Sequence, residues 1–95
     1  MVKLHKTDTI AAAAKTMRVL AHPTRMKIIE FLGDGEKHVG AVQTHTKLIQ
    51  AVTSQHLKLL FVNGLVNKRR DKNRIFYSQN TKVLKGIDKL INDIS

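Results

Sequence analysis

Apolar residues recur at helical spacing at both ends of this chain. Near the start, Ile10, the pair Ala13 and Ala14, Met17 and Leu20 recur three or four residues apart, the period of one helix face. The Ala11 to Ala14 run favours helix, and Thr7 or Asp8 is available as a cap. A first helix is therefore expected from about Thr9 to Leu20. At the far end Val83, Leu84, Ile87, Leu90, Ile91 and Ile94 share one face of a helix expected from about Thr81 to Ile94. That stripe is too apolar for a terminal helix facing water.

Between these ends the pattern changes several times. His22-Pro23 interrupts the first helix, and Pro23 suits the first position of a second, where a missing N–H costs nothing. The second helix carries Met26, Ile28, Ile29, Phe31 and Leu32 and stops at Gly33-Asp34-Gly35. A short third helix is expected at Val39 to Thr46, and a fourth from about Gln50 to Asn63, ended by Gly64. In the fourth, Thr53, Leu57, Leu60 and Phe61 share a face that should pack inward. Leu65 to Arg70 and Arg74 to Ser78 read as two strands around a tight turn at Asp71-Lys72-Asn73. No repeat or linker divides the chain. The expected fold is mainly α with a small β-hairpin, five helices and a two-stranded wing. It forms a single domain over residues 1–95, with a helix-turn-helix at 39–63 and the wing at 65–78.

Composition narrows the function. Ninety-five residues make one small domain with a core that is marginal alone. The absence of cysteine excludes disulfides, thiol switching and thiolate metal sites. No apolar run reaches the roughly 18 residues that would span a membrane. The N-terminus does not read as a secretory signal, so a cytoplasmic location is expected. The net charge of +10 is concentrated: from Lys37 to Ile87 there are ten Lys or Arg and one acid, Asp71. A basic middle between nearly neutral ends points to a polyanion. Four aromatics are too few for a membrane-surface helix or a single-strand stacking platform. Double-stranded DNA is the expected partner. The chain has no phosphate-binding Gly loop, no Cys nucleophile and no telling carboxylate–His spacing, so no enzyme is expected.

A polar-studded helix running into a basic hairpin is the order that a winged helix-turn-helix needs. At Leu20-Ala21-His22-Pro23-Thr24-Arg25 with Ile28 and Ile29, then Val39-Gly40 with Val42, the chain resembles the ArsR/SmtB family of small bacterial repressors. The likeness continues through Ser54-Gln55-His56-Leu57, Leu60, Gly64-Leu65-Val66 and Phe76-Tyr77-Ser78. It implies a homodimer built from the first and last helices, binding an inverted-repeat operator and releasing it when a metal or other signal binds. The two apolar end stripes support a dimer independently, through Ile10, Ala13, Met17, Leu84, Ile87, Leu90, Ile91 and Ile94. The alternative is that both helices pack wholly within one monomer.

The expected DNA-contacting set is Gln50, Thr53, Ser54, Gln55, His56, Lys58 and Lys47, with Arg69, Arg70, Lys72 and Arg74 on the wing. Gln suits adenine, and hydroxyls serve bases or phosphates. Thr53 also belongs to the inward face. Lys and Arg would neutralise phosphates, a wing Arg entering the minor groove. The resemblance implies a packing or phosphate-contacting role for His56, and its titration near neutrality offers a pH switch as a second reading. The chain departs from the family in three places. Ile49 stands where a capping Ser is common, Thr46 replaces an apolar residue, and Phe61-Val62 replaces charge.

The family's usual metal ligands are missing. The last helix offers Asp88 and Asp93 without a His, and carboxylates alone hold transition metals poorly. His5, His22, His38, His45 and His56 form no recognised ligand motif, although His38 and His45 are seven apart. No metal and no cofactor are expected, and the sequence names no signal ligand. The reading is a dimeric, sequence-specific DNA-binding transcriptional regulator. The alternative is an architectural DNA-binding protein without sequence preference.

Overall fold

The computed structural model describes the backbone of residues 7–94 and the side chains of 11–93. Five helices and three strands follow in the order α1 (Thr7–Leu20), α2 (Pro23–Leu32), β1 (Lys37–His38), α3 (Val39–Thr46), α4 (Gln50–Val62), β2 (Val66–Asp71), β3 (Arg74–Gln79) and α5 (Thr81–Ile94). Helix α1 opens two residues before the expected start, so Thr7 and Asp8 stand inside it rather than as flanking caps. Their side chains lie outside the described ones, as do those of Ile10 and Ile94, while His5 is outside the described residues altogether.

The wing is one strand richer than expected. Strand β1 pairs antiparallel with β3, Lys37 opposite Tyr77 and His38 opposite Phe76, giving the order β1-β3-β2. A two-residue strand is too short to register as an alternating pattern. The wing hairpin itself pairs from Val66 opposite Gln79 to Asp71 opposite Arg74, leaving Lys72-Asn73 as the turn.

Two histidines start helices. His22 Nδ1 accepts from the Thr24 N–H at 3.2 Å, and His38 Nδ1 accepts from the Ala41 N–H at 3.3 Å. Gly40 has no Cβ to obstruct the second cap, since one would lie 2.9 Å from the His38 ring. Asn80 caps α5, its Oδ1 accepting from the Val83 N–H, and its Nδ2 donates to the Gly64 carbonyl that closes α4. Gly64 takes φ 74°, a conformation open to glycine without steric cost. By contrast α4 is preceded by Ile49 at the N-cap position, which is extended and makes no side-chain cap bond. Thr46, expected as an oddity, turns its hydroxyl back to the Val42 carbonyl.

The buried apolar core comprises Ile28, Leu32, Val42, Leu57, Leu60, Leu65, Val66 and Tyr77. All come from the segment between α2 and β3. Among the described residues α1 and α5 supply only half-buried side chains to it, Val19, Leu20, Val83, Leu84 and Ile87. Phe61 is a correction: it was expected inside, and it is 42% exposed. Its ring lies beside the wing, with Lys68 Nζ 5.2 Å from its centroid. The molecule is elongated, 44 × 24 × 23 Å, with a radius of gyration of 14.3 Å. A compact domain of this length would have about 12 Å.

Candidate nucleic-acid interface

Burial of one face of α4 decides what the other face presents. Thr53, Leu57 and Leu60 are wholly buried, so the opposite side carries Gln50, Ser54, Gln55 and Lys58 to solvent. Thr53 therefore leaves the expected contact set. Its Oγ1 is buried and, among the described residues, has no hydrogen-bond partner. It faces the core and cannot reach a base.

The wing turn stands beside the start of α4. Gln50 and Ser54 share a cleft of about 420 Å³ with Asn73 and Arg74 of the wing and with His38 and Gly40 at the head of α3. This joins residues from three elements on one face. Asn73, Gly40 and His38 were not in the expected set, because nothing local marks which loop residues a hairpin will bring against a helix. Lys72 takes φ 57° at the turn, and Arg70 Nε donates to the Lys72 carbonyl at 3.1 Å. Lys47 is exposed at the turn between α3 and α4, where it takes φ 60° as the C-cap of α3.

Not every basic residue here is free. Arg69 grips Glu36 through two hydrogen bonds, Nη2 to Oε1 at 2.6 Å and Nε to Oε2 at 2.9 Å. Its guanidinium lies 4.8 Å from the Phe76 ring centroid. The hydrogen bond from Arg69 holds the Glu36 carboxyl below its ordinary pKa, and the same bond raises that of Arg69. Arg69 thus pins β2 to the segment before β1, so this member of the expected phosphate-contacting set is already paired with an acid. Among the described residues Lys47, Lys58, Arg70, Lys72 and Arg74 make no ion pair.

His56 is also corrected. It turns off the solvent face of α4, its Nδ1 accepting from Arg25 Nε at 3.3 Å and its ring 4.9 Å from that of His22. Desolvation, then the neighbouring His22 and Arg25 charges, push its pKa down. Gln50, Ser54, Gln55, Lys47, Lys58, Arg70, Lys72 and Arg74 of the expected contact set are exposed.

Among the described residues no three of His, Asp and Glu gather as metal ligands. His38 and His45 line one shallow groove, but His38 is committed to its cap and His45 stacks flat on Phe31, centroids 4.1 Å apart. Among the described residues no helix is long and apolar enough to cross a membrane.

Comparison with known proteins agrees with this geometry. Residues 22–68 match the sequence profile described as bacterial regulatory protein, arsR family. The chain is 32% identical over 82 residues to the transcriptional activator HlyU of Vibrio cholerae, covering 86% of this chain and 76% of that one. It superposes on NolR from Sinorhizobium fredii with a TM-score of 0.79 at 31% identity, covering 99% and 94% of the two chains. A homodimeric winged helix-turn-helix DNA-binding domain from Mycobacterium bovis, described as a possible ArsR-family regulator, matches with a TM-score of 0.80 at 26% identity. That match covers 99% of this chain and 87% of the other. By profile, sequence and fold together, the chain belongs to the ArsR family of bacterial regulatory proteins, whose members are transcription regulators rather than enzymes.

Proposed function

We propose that this protein is a homodimeric repressor that binds an inverted-repeat operator, with α4 in the major groove and the wing along the flanking backbone. The observation that carries this reading is the shared cleft of Gln50 and Ser54 with wing residues Asn73 and Arg74. A base-reading helix and a phosphate-binding hairpin then meet the duplex from one side. The unpaired cations around it supply the sequence-independent part of the affinity.

The dimer is supported by what α1 and α5 leave uncovered. Met17, Leu20, Ala21, Met26, Ile87 and Ile91 line an apolar groove of about 260 Å³, and Ile91 is 47% exposed. Ala13 and Leu90 are half-buried beside them, whereas Leu84 and Ile87 also pack on the monomer's own core. A second copy covering this groove would remove the stripes from water, and the M. bovis relative is described as homodimeric. The chain's donor set, lacking Cys entirely and lacking His in α5, supports a signal other than the family's usual metals.

Footprinting of the DNA upstream of its own coding region, with and without added divalent metals, tests the proposal. A protected palindrome that persists with metal is expected. Equal protection of unrelated DNA favours an architectural binder, and release by metal overturns the proposed loss of metal sensing. A transcription assay on the protected promoter separates repression from activation, the role for which HlyU is named.

A further inference from the structure

Arg25, in the first turn of α2, touches two other helices at once. Its Nη1 donates to the Val19 carbonyl in the last turn of α1 at 2.9 Å, and its Nε donates to His56 Nδ1 at 3.3 Å. A cation in the first turn of a helix opposes the macrodipole. Arg25 is instead compensated by the negative end of α1 and by a neutral imidazole in the middle of α4. Its planar fork holds several N–H groups at fixed angles, so these two acceptors are held at a set separation. With Nε and Nη1 both engaged inside the protein, Arg25 is tied to two helices rather than free to swing out toward a phosphate.

We propose that Arg25 is a positioning residue for DNA binding, setting the pitch of α4 relative to α1 by tying the Val19 carbonyl to His56. This rests on the DNA-binding reading above, and it adds how the helix at the dimer seam governs the helix in the groove. In a two-fold dimer both recognition helices must meet major-groove segments about 34 Å apart. A tilt of α4 against α1 therefore misaligns both half-sites together. The strut holds only while His56 is neutral. Its accepting Nδ1 places the ring proton on Nε2, and a second proton would remove the acceptor and set a cation against Arg25 and beside His22. Lysine cannot substitute, because a single ammonium on a flexible stem does not span two acceptors in a fixed fork.

The test is fluorescence anisotropy on a labelled duplex that the wild-type protein has enriched from a random-sequence library. Enrichment of no duplex sinks the sequence-specific DNA-binding reading itself, before any variant is made. Given a duplex, Arg25→Lys and His56→Leu should each weaken binding by about tenfold, the size of one charge-assisted hydrogen bond. The slope of log affinity against log salt should stay unchanged. His56→Gln, whose amide oxygen can accept from Arg25, should recover most of the loss. Wild-type affinity in Arg25→Lys overturns the proposal. So does a salt slope smaller by about one per protomer in Arg25→Gln, which removes the charge and would reveal Arg25 as a phosphate contact. If Arg25→Lys does not fold, His56→Leu against His56→Gln decides, and equal affinities of those two overturn it.

Discussion

Glu36 and Arg69, 33 residues apart, are joined by a two-pronged ion pair that holds the wing against the segment leading into β1. The pair engages one wing cation of the surface proposed to face DNA. Glu36→Gln should release it. The slope of log affinity against log salt should then steepen by about one per protomer, as Arg69 becomes free to neutralise a phosphate. Isothermal binding at three or more salt concentrations checks this, and an unchanged slope would mean that Arg69 stays docked on Phe76.

Lys47 holds a left-handed conformation at the turn of the helix-turn-helix. Such a backbone is strained for any residue with a Cβ. Lys47→Gly should raise stability by about 0.5–1 kcal/mol in urea unfolding, the relief being partly offset by the greater freedom of the unfolded chain. DNA affinity should fall at the same time, because a cation of the proposed phosphate-contacting set is lost. Opposite signs in the two measurements distinguish a strained contact residue from a purely structural one.

Thr53 buries a hydroxyl without a partner among the described residues. Thr53→Val keeps the shape and removes the unsatisfied group, so it should stabilise the fold by about 1 kcal/mol. Its sequence preference on DNA should not change. A variant that folds well and reads a different base would return Thr53 to the contact set.

Acid should weaken the fold through His56, whose pKa is lowered from its ordinary 6.5 chiefly by desolvation. In the window between the lowered value and 6.5 the unfolded chain binds more protons than the native one, so stability rises with pH there. The contribution is complete above 6.5 and gone below the lowered value. Urea midpoints of wild type and His56→Gln, compared from about pH 5 to 8, should converge at the alkaline end in slope. They should diverge on the acid side, where wild type alone loses stability. Parallel curves would place the titration elsewhere.

Much of the architecture was legible from local signals. The boundaries of α3, α4 and α5 followed from apolar spacing, Gly64 and the Thr81 start, because a helix writes its buried face at intervals of three and four. The wing hairpin followed from alternation around a polar turn. Strand β1 did not, since two residues carry no period. His22 and His38 as caps were not marked either, because histidine is not among the usual capping residues and serves only where its Nδ1 meets a free N–H.

Sequence alone was enough for the order of the five helices and the wing hairpin, the concentration of positive charge and the absence of thiolates, all properties of neighbours along the chain. It was not enough to say which polar residues of α4 and the wing are free to meet DNA. Thr53 differs from Ser54 by a rotation about the helix axis, and which side is buried depends on what packs there. Arg69 differs from Arg70 because Glu36 waits across the sheet, and His56 is withdrawn because Arg25 reaches it from another helix. Those distinctions arise from contacts more than thirty residues apart, and only the folded chain brings such pairs within hydrogen-bonding distance.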